Sequence, residues 1–436
     1  MLVRRGPALC LALLLSTTAG AQDRPGPTLA FGGDVLYDAP LAYQLRRRAR
    51  EIGRDDAYRE VFSDVAPALR RADLALVNLE TPVSHRYRER TAEEDVPVFR
   101  APEHFLDALR AAGVDALTVA NNHAYDQGLR GLRNTMAAAR ERGIPLVGAG
   151  ESPRAAARAV VMRAGDARVA LAAWTEGTNH RPSITEGRGP RVAFLRDGTV
   201  QASLRAARAG DAHLVVAVFH WTHEGQTRPR PMMREAAREA AEAGADLVVG
   251  HGTHLPGSTE EVVTSDGRRV PVLYSLGNLL AAMEEPAGDL AARTVGVRDA
   301  PLAIVTTRWR GRRLSIERVE VEHYFITRPV SPAPWVDAGT IPVGRPVAIA
   351  SELERLAAAD CGRACEQRAA LYRRRAALIE EAMLDVAAGS PSEPPLVASA
   401  PPRGSEPARP SPPGAPPLVA SALPPGSEPA AQGGPP

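Results

Sequence analysis

The chain has 436 residues, 44% of them hydrophobic, with 53 basic against 51 acidic residues and a formal net charge of +2. Every basic residue is an arginine, which excludes chemistry that needs lysine: a P-loop, a pyridoxal phosphate Schiff base or a serine–lysine nucleophile. The near balance of charge leaves no electrostatic footprint for nucleic acid, so no nucleic-acid partner is expected.

The first 21 residues read as a secretory signal: Arg4 and Arg5, an apolar stretch from Ala8 to Leu15, then Ala19-Gly20-Ala21 as a small-residue cleavage site. That stretch is too short to span a bilayer, and Cys10 lies inside it rather than after it. Cleavage is expected after Ala21, giving a periplasmic or secreted protein with no stable transmembrane segment. From Thr28, apolar strands at Thr28 to Phe31, Leu74 to Leu79 and Ala116 to Ala120 alternate with helical stretches such as Leu129 to Arg142, the rhythm of a layered α/β fold. Arg46, Arg47, Arg48 and Arg50 lie in a helical pattern and read as a solvated face.

Further strands follow at Val169 to Trp174, Leu214 to Phe219 and Leu247 to Val249, then hairpin-like segments with turns at Asp266-Gly267 and Arg310-Gly311. Residues Ile349 to Ala388 are rich in helix formers and predict one or two helices, packed on the domain or standing free. Cys361 and Cys365 are the only thiols after the signal, and a local disulfide around Gly362 is the favoured reading over free thiols. After Gly389, PPLVASAPPRGSEPA at Pro394 recurs as PPLVASALPPGSEPA at Pro416. Such a Pro-rich composition buries too little to offset its ordering entropy, so a disordered, partly polyproline-II linker is expected. The expected organisation is a signal over 1–21, a main domain over 28–325, a helical segment over 349–388 and a disordered tail over 389–436.

Five apolar strands empty into polar clusters. Asp34 follows LAFGG and Glu80 follows LALVNL; Asn121, Asn122, His123 and Asp126 follow LTVA; His220, His223 and Glu224 follow VVAVF; His251 and His254 follow ADLVVG. In α/β sheets, binding groups gather at the carboxyl ends of strands, so these clusters predict one convergent site. Trp174, Thr175, Glu176, Asn179 and Trp221 end strands at the same rim and are candidates to line a groove, although a buried aromatic is an equal reading for the tryptophans. His85, His104, His180, His213 and His323 have no partner at ligand spacing, and packing or surface roles are expected of them.

The GGD, NLE, ANNHxxDxG, HWxxE, GADLVVGHxxH and YSLGN elements, in this order over about residues 28 to 285, resemble the bacterial capsule-synthesis CapA (poly-gamma-glutamate) family, a branch of the calcineurin-like metallophosphoesterases. The resemblance implies an α/β fold, a four-layer α-β-β-α sandwich of metallophosphoesterase type. A dinuclear site needs hard carboxylates, an amide oxygen and neutral imidazoles. Asp34 would serve one metal, Glu80 would bridge, and Asn122, His220, His251 and His254 would complete the shells, for two divalent ions among which Mn, Zn, Fe and Mg are not distinguished. His123 is the expected acid at the leaving group, with Asp126 fixing its tautomer. Asn121, Glu224 and Asn278 are the expected substrate contacts.

The chain departs from the wider superfamily pattern at three places. Leu36 stands where Asp-x-His has its histidine, Asn78-Leu79-Glu80 replaces the usual Gly-Asp, and two residues separate His251 from His254 instead of one. Within the capsule family, Thr222 stands where glycine is usual and Gly252 where a further histidine is common. Two functions follow. The first is an envelope protein of capsule or poly-gamma-glutamate-type polymer synthesis or export, with a metal-dependent site hydrolysing a phosphoester or a polymer linkage. The second is a non-catalytic accessory that binds anionic polymer or a capsule synthase partner through the same groove. Retention of His123 with Asp126 favours the first; the missing Asp-x-His favours the second.

Overall fold

The computed structural model describes residues 23–84, 97–180, 189–283, 294–327, 343–359 and 361–383. The expected signal, His85 and the Pro-rich tail lie outside these residues. Strands β1 (Arg24–Val35), β2 (Leu74–Leu79), β3 (Ala116–Thr118) and β4 (Leu146–Val147) open the fold. They are followed by β5 (Ala149–Gly150), β6 (Val160–Ala164), β7 (Ala167–Thr175), β8 (Arg191–Val192), β9 (Leu214–His220) and β10 (Leu247–His251). The last are β11 (Thr259–Val263), β12 (Arg269–Leu273), β13 (Asn278–Leu280), β14 (Asp299–Arg310), β15 (Arg313–Ile326) and β16 (Pro346–Ala348).

Two sheets carry the architecture. The first has the order β16-β15-β14-β1-β2-β3-β4, with β13 also pairing β1; the second has the order β11-β12-β10-β9-β7-β6. Strand alternation explains how they stack, because successive side chains point to opposite faces. Leu29 and Phe31 of β1 and Leu74 and Leu76 of β2 share one buried cluster with Val169, Leu171, Leu214, Val216, Leu247 and Val249 of the second sheet. That cluster is the layer between the sheets.

The alternate residues face outward onto helices. Ala30, Ala75 and Val77 pack with residues of α1 (Ala39–Ile52), α2 (Arg54–Glu60), α3 (Ala66–Arg71), α4 (His104–Ala112) and α5 (Gly128–Glu141). Trp174, Val215, Phe219 and Val248 pack with residues of α6 (Pro153–Ala157), α7 (Val200–Ala209) and α8 (Pro231–Glu242). Helices, sheet, sheet and helices make the four layers that the sequence predicts. The two expected hairpins are present as the antiparallel pairs β11 with β12 and β14 with β15.

The segment from Ile349 forms α9 (Ile349–Ala358) and α10 (Gly362–Ala382), packed on the first sheet and not free. Tyr372 meets Phe325 of β15 edge to face at 6.0 Å. Arg375, 3% exposed, pairs with Asp299 at the head of β14, its Nε donating at 2.7 Å. Cys361 and Cys365 are joined as a disulfide with Cα atoms 5.4 Å apart. Among the described residues, no helix is long and apolar enough to cross a membrane.

Candidate metal centre

Register places the site. In the first sheet Asp34 of β1 stands beside Asn278 of β13 on one side and Asn78 of β2 on the other, and Asn78 stands beside Thr118 of β3. In the second sheet His251 of β10 stands beside His220 of β9, which stands beside Thr175 of β7. Each sheet therefore ends in a rank of polar residues, and the two ranks meet. Asn78 joins them: its Nδ2 donates to Asp34 Oδ1 at 2.7 Å and lies 3.2 Å from His220 Nδ1.

Glycines permit the close approach. A Cβ at Gly33 would lie 2.2 Å from the Gly277 carbonyl oxygen, and the bare backbone there lets β1 run against the turn that precedes Asn278. Gly252 has φ +91°, a Cβ there would lie 2.1 Å from the Trp221 carbonyl oxygen, and its N–H donates to Asp34 Oδ2 at 3.0 Å. His254 is itself left-handed, with φ +60°. The extra residue between His251 and His254 is thus taken up by two positive-φ residues, which turn His254 back so that its Nδ1 lies 3.4 Å from Asp34 Oδ2.

All six expected ligands converge and all are buried. Atoms of Asp34, Glu80 and His254 lie within 4.8 Å of one another. Glu80 faces two ways: Oε2 lies 3.8 Å from His254 Nδ1, and Oε1 lies 3.5 Å from His220 Nε2. His220 Nε2 in turn lies 2.9 Å from Asn122 Oδ1, and His251 Nδ1 lies 3.6 Å from Asp34 Oδ1. Neither Glu80 oxygen has a hydrogen-bond partner, nor does His251 Nδ1. Buried polar atoms are rarely left so, and a set of carboxylate, amide and imidazole donors facing one point fits a divalent cation.

The charges agree with that fit. Burial, with the Asp34 charge behind it, pushes the Glu80 carboxyl well above the usual carboxylate range. Burial also acts to raise Asp34, but the hydrogen bond from His254 and the histidine charges outweigh it and hold the carboxyl below its usual range. Burial would lower His254, yet the charges of Glu80 and Asp34 push it up to about 10, so without a metal it carries a proton that ligation would displace. Burial drives His220 down to about 3 and also lowers His251, which favours in both the neutral imidazole, the form that ligates metal. Two buried carboxylates that repel one another make a site suited to added positive charge.

Beside this group, His123 Nδ1 lies 2.8 Å from Asp126 Oδ2, which also accepts from the Phe99 N–H at 2.7 Å. The Phe99 ring lies 4.4 Å from the His123 ring. Of the expected substrate contacts, Glu224 is exposed at the rim, its Oε1 3.9 Å from His254 Nε2. Asn278 is buried, with Oδ1 3.0 Å from His254 Nδ1 and Nδ2 donating to the Val297 carbonyl at 2.9 Å. Asn121 is buried too, its Nδ2 donating to the Leu79 carbonyl at 2.8 Å, while its Oδ1 has no partner.

Trp174 and Trp221 are wholly buried, their indole N–H groups bonded to Thr199 and to the Tyr274 carbonyl, so neither lines a groove. His213 accepts a hydrogen bond from the Arg168 N–H, and His104 meets Tyr58 edge to face. His180 Nε2 lies 3.8 Å from Asp126 Oδ1, beyond hydrogen-bond distance. Asn78 is the residue that sequence reasoning passed over. It stands two before Glu80 on an apolar strand, and two-residue spacing puts both on one face, which is the signal that reveals it.

A family model described as bacterial capsule synthesis protein matches residues 28–283. Relatives include a capsule biosynthesis protein CapA of Bacillus anthracis, 28% identical over 256 residues, 58% of this chain and 59% of that protein. A PGA biosynthesis protein CapA of Bacillus subtilis is 25% identical over 252 residues, 58% of this chain and 62% of that one. A probable polyglutamine synthesis accessory protein of Mycobacterium tuberculosis is 28% identical over 233 residues, 51% of this chain and 59% of its own length. The match thus spans about three fifths of each relative. Among solved structures, a phosphatase from Mycoplasma pneumoniae matches at a TM-score of 0.40 and 15% identity, over 69% of this chain and 94% of that one. A calcineurin-like phosphoesterase from Bacillus subtilis matches at 0.35 and 10%, over 68% of this chain and 90% of that one.

Proposed function

Because the chain belongs to the bacterial capsule synthesis protein (PGA_cap) family, we propose that it serves capsule or poly-gamma-glutamate-type polymer synthesis or export as a metal-dependent hydrolase at the cell envelope. The observation that carries this reading is the buried group of Asp34, Glu80 and His254, with both Glu80 oxygens unpartnered. The signal-like first 21 residues support the envelope location, and the Mycobacterium tuberculosis relative, named as a synthesis accessory protein, supports work beside a synthase. The substrate is a phosphoester or a linkage of the anionic polymer.

Two divalent ions held by Asp34, Glu80, Asn122, His220, His251 and His254 would supply Lewis-acid charge to the reacting oxygens. Glu80, with Oε1 toward His220 and Oε2 toward His254, would be among the residues that hold the two ions. Asn78 and the Gly252 N–H hold the Asp34 carboxylate in place. His123, with Nδ1 tied to Asp126, presents Nε2 to a leaving group as the proton carrier. Asn122, next in chain to His123, couples the ligand set to that acid.

Metal content of the purified protein, paired with turnover of bis(p-nitrophenyl) phosphate in Mn, Zn and Mg, tests the reading. His254→Ala is expected to lower bound metal and thermal stability together, because a ligand of the native state stabilises it by RT ln(1 + [L]/Kd). Unchanged metal stoichiometry in that variant would sink the ligand assignment. The binding-only reading rests on Leu36, a buried apolar residue at a usual ligand position. Metal and polymer binding without turnover of any phosphodiester or polymer would establish it instead.

A further inference from the structure

Asp126 is fully buried, and its two oxygens are treated differently. Oδ2 is held by the Phe99 N–H and by His123 Nδ1, whereas Oδ1 has no hydrogen-bond partner. The nitrogen facing Oδ1 is His180 Nε2, 3.8 Å away, itself buried and without a partner. A donor and an acceptor, both shut from solvent, thus face each other across a gap about 1 Å longer than a hydrogen bond.

The backbone around His180 is already docked on the site. The Asn179 N–H donates to the Asn122 carbonyl at 2.8 Å, and Asn179 Nδ2 lies 3.4 Å from His123 Nε2. The segment after β7 of the second sheet is therefore fastened to the segment after β3 of the first, across the two ranks of polar residues. His123 is confined by the Phe99 ring, by Asp126 and by Asn179. With Oδ2 held, Oδ1 is the end of the Asp126 carboxylate that no hydrogen bond fixes.

We infer that His180 is a positioning residue: its Nε2–H closes on Asp126 Oδ1, locks the carboxylate plane, and so holds His123 in the tautomer and direction that leave Nε2 for the substrate. Partners one bond removed from a working imidazole commonly have this task. The catalytic consequence rests on the hydrolase reading above; the hydrogen bond itself does not.

The test uses the zinc-loaded full chain with His180→Phe and His180→Gln, the glutamine keeping an N–H donor in reach of Nε2's place. With bis(p-nitrophenyl) phosphate, His180→Phe is expected to lower kcat roughly 10- to 100-fold at unchanged KM and metal content. His180→Gln should recover most of it, and His180→Phe should add no loss in a His123→Ala background. An unchanged kcat, or an equal fold loss in the His123→Ala background, overturns the inference. The second readout is the downfield proton resonance of the His123–Asp126 hydrogen bond, expected to move in His180→Phe and to stay in His180→Gln. If the wild type turns over no phosphodiester, the hydrolase reading fails while this resonance still decides; a resonance unmoved by His180→Phe rejects the role of His180.

Discussion

Asn78 spends both ends of its amide on the site. Nδ2 faces Asp34 and His220, and Oδ1 accepts from Thr118 Oγ1 at 3.0 Å and Asn121 Nδ2 at 3.2 Å. Asn78→Leu keeps the volume but strips these partners, and each buried group left unpaired costs about 1–3 kcal/mol. Urea unfolding should show that loss, and metal titration a weaker affinity, since Asp34 and His220 lose their common brace. His123→Ala should act differently, leaving metal bound and stability near wild type while cutting kcat by about 10² to 10⁴. The outward residues were legible because Asp34, Glu80, His220 and His251 each end an apolar run. Asn78 and Thr118 were not, because each sits inside its run and reads as a strand residue until register sets it beside Asp34.

At the scale of elements, the central strands and both hairpins were readable from continuous apolar runs and glycine turns. What the sequence left open was the place of the last helices. Their patterning specifies helix but not which sheet they cover, and that choice is settled by Phe325 against Tyr372 and by Arg375 against Asp299. Arg375→Met should cost about 3–5 kcal/mol, the usual penalty for leaving a buried charge without its counterpart, with a large fall in the urea midpoint as the measurement. The Gly252 turn gives a sharper case. Gly252→Ala adds a methyl 2.1 Å from the Trp221 carbonyl oxygen at φ +91°. The turn that aims His254 must then open, so metal content should fall along with the melting temperature.

For the whole molecule, the proposed ligands come from both sheets: Asp34, Glu80 and Asn122 from one, His220, His251 and His254 from the other. A metal bound there holds the sheets together at one end, so chelation should lower stability without splitting the unfolding transition. At free metal 100-fold above Kd the linkage amounts to about 2.7 kcal/mol, a shift of several degrees in a domain this size. Calorimetry with and without chelator checks it, and two separated transitions would show that the sheets unfold independently.

The interior placement of β1 in its sheet has a consequence in time. It lies between β2, which follows it closely in the chain, and β14, where Thr28 pairs with Thr306. Ribosomes add about 5–20 residues per second, so the 278 additions that follow Thr28 up to Thr306 (306 − 28) take roughly 14 to 56 s. Throughout that interval the part of β1 from Thr28 to Phe31 has one edge bare, and an apolar strand with a bare edge invites pairing with the wrong chain. Strand β1 thus waits for a partner made much later in the chain, so a holdase present during synthesis should raise the yield of this protein more than it raises the yield of one whose early strands pair only with their neighbours in sequence.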